Sequence, residues 1–280
     1  MKIRTSENEH FFQKILFKEL NAFSLQGLLM DEKYQFTAAV EAIEFEHGER
    51  IKNPFNNYEL TARYVLANNI NVPFYIIYFL DDKYHVVKVV DPNDTDLLSK
   101  PLLILNEESF IQWWSDLKKT TQSKRLYNGG ESRINDTIFD RVLRKYGLEW
   151  GGNIDGFVLN ENNTAVKFII DNISVSKQNL ADDPANYFNS SNPKHGPRYK
   201  GWYASVKLSN QLKVPHLLFT IDKRNEKIEH IGLTAISRLA PSGIYYVNDI
   251  KPNNNIFNGK ASIKAEINRL LLVAKPPLLE

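Results

Sequence analysis

The sequence predicts an α/β protein made of two tandem units, residues 1–120 and 121–280, each a mixed sheet flanked by helices. Three observations predict it. The stretch "ELTARYVLANNINVPFYIIYF" from Glu59 aligns without a gap on "GWYASVKLSNQLKVPHLLFTI" from Gly201. Ala62 then falls on Ala204, Leu66 on Leu208, Asn68 on Asn210 and Val72-Pro73 on Val214-Pro215. Upstream, "LQGLLMDEKYQFTAAVEAIEFE" from Leu25 resembles "IDGFVLNENNTAVKFIIDN" from Ile154. Ahead of each lies a run with apolar residues at helical spacing: Phe11, Ile15 and Leu16 in the first, Ile138, Phe139, Val142 and Leu143 in the second.

Taken in chain order, each half reads helix, β-hairpin, loop, helix, strand. Asn135 or Asp136 is placed to cap the helix that opens the second half. The hairpins turn at Asp31-Glu32-Lys33 and at Asn160 to Asn163, where short polar side chains accept local backbone hydrogen bonds. The Val-Pro step sets the start of each following apolar strand, a place where proline is tolerated. The two halves differ in the loop before the last helix, which is longer in the second: "NLADDPANYFNSSNPKHGPRY". A polar stretch near Lys118 to Arg133, with Asn128-Gly129-Gly130, reads as the linker. "ASIKAEINRLLLVAK" reads as a closing amphipathic helix, with Ile263, Ile267, Leu270 and Leu271 apolar.

Composition bounds the chemistry. The chain has 280 residues, 42% hydrophobic and 24% charged, and no cysteine. Disulfides, cysteine-zinc sites and thiol catalysis are therefore excluded. A net charge of +2 permits nucleic acid as a partner without demanding it. No run of about 18 apolar residues and no apolar secretion segment is present, so the expectation is a cytoplasmic protein without a membrane partner. The six histidines lack metal-ligand spacing, and no phosphate loop or nucleophile elbow appears.

Acidic residues are the chemistry-bearing candidates. In "AVEAIEFEHGE", strand alternation places Val40, Ala42, Glu44 and Glu46 on one face. Adjacent carboxylates repel and ask for a cation. In the second half Asp155 precedes a glycine on the hairpin, and Asp171 lies on the next strand with Lys167 on the same face. Basic residues accompany them. Lys124 and Arg125 follow Trp113 and Trp114, where stacking and phosphate contact combine, although the tryptophans also suit a helix packed on a core. Lys194, Arg198 and Lys200 sit in the long loop of the second half, within reach of phosphate.

Helix, hairpin, strand, helix, strand resembles the core order of the PD-(D/E)XK, or restriction-endonuclease-like, nuclease superfamily, once in each half. The resemblance implies two degenerate tandem copies of that fold. It implies Mg²⁺ or Mn²⁺ held by a hairpin Asp and by an acid two residues before a Lys or Glu, with DNA as partner. Hard carboxylate oxygens suit such an ion, which would activate water and neutralise phosphate charge. Carried over residue by residue, Asp155 and Asp171 are the metal and catalytic candidates in the second half, with Lys167 or Lys177 orienting water. Glu44 and Glu46 are the competing set in the first half, where Gln26 stands at the hairpin position. The lysine two places after Asp171 is missing. The expectation is a metal-dependent endodeoxyribonuclease, with a homodimer compatible. The alternative is a catalytically degenerate protein of the same fold serving as a DNA-binding or protein-interaction module.

Overall fold

The computed structural model describes residues 1–3, 20–120, 136–148, 150–175, 199–222, 231–252 and 260–280. Among these residues are twelve strands and five α-helices. The chain forms two compact units, Met1–Ser6 with Leu25–Asn153 and Glu7–Ser24 with Ile154–Glu280.

The first unit holds β1 (Lys2–Ile3), β3 (Phe36–Glu44), β4 (Phe74–Leu80), β5 (Lys83–Lys88), β6 (Leu103–Leu105) and most of β2 (Ala22–Met30). Its strands run in the order β2-β3-β4-β5-β6, with β1 pairing the far end of β3. β2 and β3 are an antiparallel hairpin, and β3 and β4 are parallel. The hairpin turn forms at the expected place: the Asp31 carboxylate accepts from the Lys33 and Gln35 amides, and Tyr34 takes the left-handed conformation.

The parallel step needs a crossover helix. That helix is α1 (Asn57–Asn69). It starts in a reciprocal cap between Asn56 and Glu59, and Leu60, Ala62, Leu66 and Ala67 are buried along it. It stops where Asn71 turns left-handed, one residue before Val72-Pro73. The opposite face of the sheet is covered by α2 (Glu107–Lys118) and α3 (Ile138–Lys145). Their Phe110, Trp114, Phe139, Val142 and Leu143 share a core with Val40, Ala42, Ile77, Tyr84 and Trp150. The α3 helix is capped by Thr137 with Asp140, rather than by Asn135 or Asp136; Asp136 instead accepts from Arg144 at 2.9 Å.

In the second unit, the hairpin of β7 (Gly152–Leu159) and β8 (Val166–Val175) is followed by α4 (Tyr199–Leu212) and by β9 (His216–Asp222), parallel to β8. β10 (Ile231–Ala240) and β11 (Gly243–Tyr246) extend the sheet antiparallel, and β12 (Leu278–Leu279) adds to β10. The closing helix α5 (Lys260–Val273) lies on the expected segment. Its Ile263, Ile267 and Leu270 join Phe168, Ile170, Leu217 and Phe219 in one core, and α4 packs on the other face through Val206. Helix α4 ends as α1 does, with Lys213 left-handed before Val214-Pro215. In each unit the carbonyl of that proline accepts from the hairpin: Ala39 at 2.9 Å from Pro73, and Ile169 at 3.0 Å from Pro215. The expected first helix, Asn8 to Leu20, falls almost wholly outside the described residues.

Candidate functional site

In β3, alternation sends Ala38, Val40 and Ala42 to the α2/α3 core. Ala39, Glu41 and Ile43 face the other way, toward α1. Glu41 is thus a carboxylate in the middle of a buried strand, with no exposed surface. Its Oε1 accepts from Arg63 Nε of α1 at 2.8 Å and from the Gln26 amide at 3.2 Å. The Arg63 guanidinium also donates to the Glu59 carbonyl and lies 4.5 Å from the centre of the Phe55 ring. The hairpin ladder ends at Gly27 opposite Val40. One step further Gln26 stands opposite Glu41, and side chains replace the ladder: the Gln26 carboxamide oxygen accepts from the Ala42 amide at 2.7 Å.

The second unit repeats this arrangement with different chemistry. Its ladder ends at Gly156 opposite Ile170, so Asp155 stands opposite Asp171. Asp155 Oδ2 accepts from the Asn172 amide at 3.0 Å, as Gln26 does from Ala42. Asp171 is buried, and its Oδ2 accepts from the Ser205 hydroxyl of α4 and lies 3.0 Å from His216 Nε2 at the start of β9. Ser205 occupies the helix position of Arg63, one residue after the matched alanine. His216 is fully buried; its Nδ1 and the side-chain carboxamide Oδ1 and Nδ2 of Asn172 have no hydrogen-bond partner among the described residues. No protein-family model, curated protein or solved structure matches the chain.

The two clusters differ in charge. In the first, one carboxylate meets one guanidinium. In the second, two carboxylates stand opposite each other on adjacent strands, where like charges repel, and the groups on Asp171 are a hydroxyl and an imidazole. The position two residues after each acid, where the sequence resemblance leads one to expect a lysine, holds Ile43 at 0% and Ile173 at 5% exposure.

The first cluster does not fit a divalent ion, because Arg63 already supplies the cation. The second fits poorly: both acids are committed to protein donors. Among the described residues no group of three or more His, Asp or Glu side chains is set to hold a metal ion.

Glu44 and Glu46 do not share a strand face, since β3 ends at Glu44. Glu44 reaches the start of α3, where its Oε2 accepts from the Ile138 amide at 3.0 Å and its Oε1 from Arg141 at 3.4 Å. It thereby satisfies a helix N-terminus and its dipole. Glu46 lies beyond the strand, with its side chain 88% exposed, 4.0 Å from the terminal amine. That amine pairs more closely with Glu49, which raises its pKa and lowers that of Glu49.

Lys167 is exposed and sits where the β7–β8 register shifts, between Val166 opposite Leu159 and Phe168 opposite Val158, so strand alternation does not place it beside the buried Asp171. Lys200 is in the first turn of α4. Lys177, Lys194, Arg198, Lys124 and Arg125 lie outside the described residues. Trp113 and Trp114 belong to the aromatic packing of α2, with Trp114 buried and its ring 4.9 Å from that of Trp150. Among the described residues no helix is long and apolar enough to cross a membrane.

Sequence reasoning missed Glu41, Arg63, Ser205 and His216. The available signal was an acid inside the apolar run "TAAVEAI". The second hairpin is longer by one residue between Gly156 and Ile170 than the first between Gly27 and Val40, which hides the match of Glu41 to Asp171.

Proposed function

We propose that the chain is two tandem copies of a restriction-endonuclease-like fold that bind DNA without hydrolysing it. One observation carries the reading. At each copy's acid position the carboxylate is buried and committed to a protein partner, Glu41 to Arg63 and Asp171 to His216 and Ser205, and the lysine position is a buried isoleucine. Phosphodiester hydrolysis needs an activated water and a cation facing phosphate. The acids serve strand and helix cohesion here. The twice-repeated ladder end, proline contact and left-handed helix stop support the duplication. Lys194 and Arg198 of the long loop, with Lys200 in the first turn of α4, are the phosphate contacts in this reading, which leaves electrostatic binding as the retained property.

The test is fluorescence anisotropy with a labelled duplex at 50 and 200 mM salt, beside plasmid incubation with Mg²⁺ and Mn²⁺. The expected outcome is binding that weakens with salt, weakens further in Lys194→Glu/Arg198→Glu, and leaves the plasmid intact. Absence of binding at low salt would remove DNA as the partner. Cleavage lost in Asp155→Ala and retained in Glu44→Ala would restore the hydrolytic reading in the second copy.

A further inference from the structure

The sheet of the second unit has a slot at one end of β10. β11 pairs β10 from Ile236 to Ala240, but on the other side β9 begins only opposite Ile236. Arg238 and Leu239 therefore run past the start of β9. β12 takes that side, parallel to β10, with Leu278 in register with Arg238 and Leu279 with Leu239. The Glu280 amide donates to the Leu239 carbonyl at 3.0 Å.

The contacts of β12 are of a kind that a separate peptide could supply. Leu279 packs on the core of Val206, Leu239 and Ile244, with Trp202, while Leu278 is 61% exposed. The Asn210 carboxamide of α4 donates to the Pro277 carbonyl at 2.9 Å. The Glu280 carboxylate accepts from Arg238 at 3.3 Å. Arg238 is positioned for that contact by stacking. Its guanidinium lies 3.8 Å from the centre of the Tyr245 ring, whose hydroxyl is 3.1 Å from that of Ser242. Main-chain bonds give affinity in strand addition, and pockets for particular side chains give selection.

The join to the rest of the chain lets β12 leave. Helix α5 closes with the Ala274 amide on the Leu270 carbonyl at 2.7 Å. Lys275-Pro276-Pro277 follows. Prolines carry no amide proton and favour an extended backbone. The ladder thus starts at Leu278, and β12 can open locally without unwinding α5.

We propose that the end of β10 is a strand-addition site for an extended peptide bearing a large apolar residue followed by a carboxylate, and that Leu278–Glu280 is its resident, displaceable occupant. The resident's own contacts define the ligand: Leu279 fills the apolar pocket and Glu280 meets Arg238.

The experiment uses the full chain and the peptide Pro-Pro-Leu-Leu-Glu, labelled with fluorescein at its amino end and read by anisotropy. The parent should bind it weakly, because the resident strand competes at high effective concentration. Leu279→Ala and, separately, Glu280→Lys weaken the resident and should tighten binding at least tenfold, with unchanged circular dichroism. Glu280 is exposed, so its variant leaves the core intact. Arg238→Glu added to Leu279→Ala should abolish the gain, as should aspartate in place of the peptide's second leucine. Equal peptide affinity in the parent and both single variants, or indifference to Arg238→Glu, would overturn the proposal. So would a parent dimer that dissociates in Leu279→Ala at sedimentation equilibrium, because the slot would then exchange strands between copies.

Discussion

Arg63→Met tests the account of the first unit most directly. Methionine keeps most of the side-chain volume and its contact with Phe55, and removes the charge. Glu41 then keeps a fully buried carboxylate without its guanidinium, still accepting from the Gln26 amide at 3.2 Å. Breaking a buried pair by deleting one partner costs about 3–5 kcal/mol, because the other charge stays behind without water. The lost cation–π attraction to the Phe55 ring adds about 0.5–1 kcal/mol. At about 2–4 °C per kcal/mol for a domain of this size, thermal unfolding followed by circular dichroism should move down by roughly 7–24 °C. Adding Glu41→Gln removes the stranded charge and should recover more than half of the loss. A single variant within about 2 °C of the parent would refute the reasoning, as would a double variant no better than the single one.

Asp155→Asn removes one of two carboxylates facing each other across β7 and β8, and should raise the stability of the metal-free protein by about 0.2–1 kcal/mol in urea titrations; a loss of stability would mean that the second carboxylate is needed. His85, stacked on Tyr78 with ring centroids 4.4 Å apart, has its pKa lowered below the ordinary 6.5 by burial. The unfolded chain therefore binds its proton first, so stability present above pH 6.5 falls as pH drops from there toward the lower folded value. His85→Phe should flatten the stability–pH curve in that window, and an unchanged slope would contradict the assignment. Trp150→Ala empties the centre of the aromatic cluster and abandons the 2.7 Å bond to the Gln26 carbonyl; denaturant unfolding should show a loss of about 3–5 kcal/mol.

The elements legible in the sequence were those with strong local signals. Asp31 and Asn160 mark turns by their own hydrogen bonds, and Val-Pro marks two strand starts. Phe139, Val142 and Leu143 mark a helix by spacing. What stayed hidden was set by pairing. Whether Glu41 or Glu44 faces α1 depends on where the hairpin ladder ends, and one additional turn residue shifts the apparent match. Asp155 and Asp171 were visible because each interrupts an apolar strand near its partner. Arg63 and His216 come from other elements, so nothing beside them in the chain announces that they meet the acids. The helix Ile138–Lys145 was read from its spacing, but its packing in the first unit follows from contacts with Trp114 and Tyr84 that spacing does not encode.

That packing has a consequence for synthesis. The ribosome releases the hairpin, α1 and α2 well before Phe139 and Trp150, which finish the apolar layer beneath them. Until Trp150 has left the exit tunnel, Trp114, Phe110 and Tyr84 have no complete cover, and the nascent chain exposes that apolar surface over the interval. Arrested chains ending shortly before and shortly after Trp150 has emerged should differ sharply in protease resistance, and equal resistance would show that the amino-terminal half closes by itself.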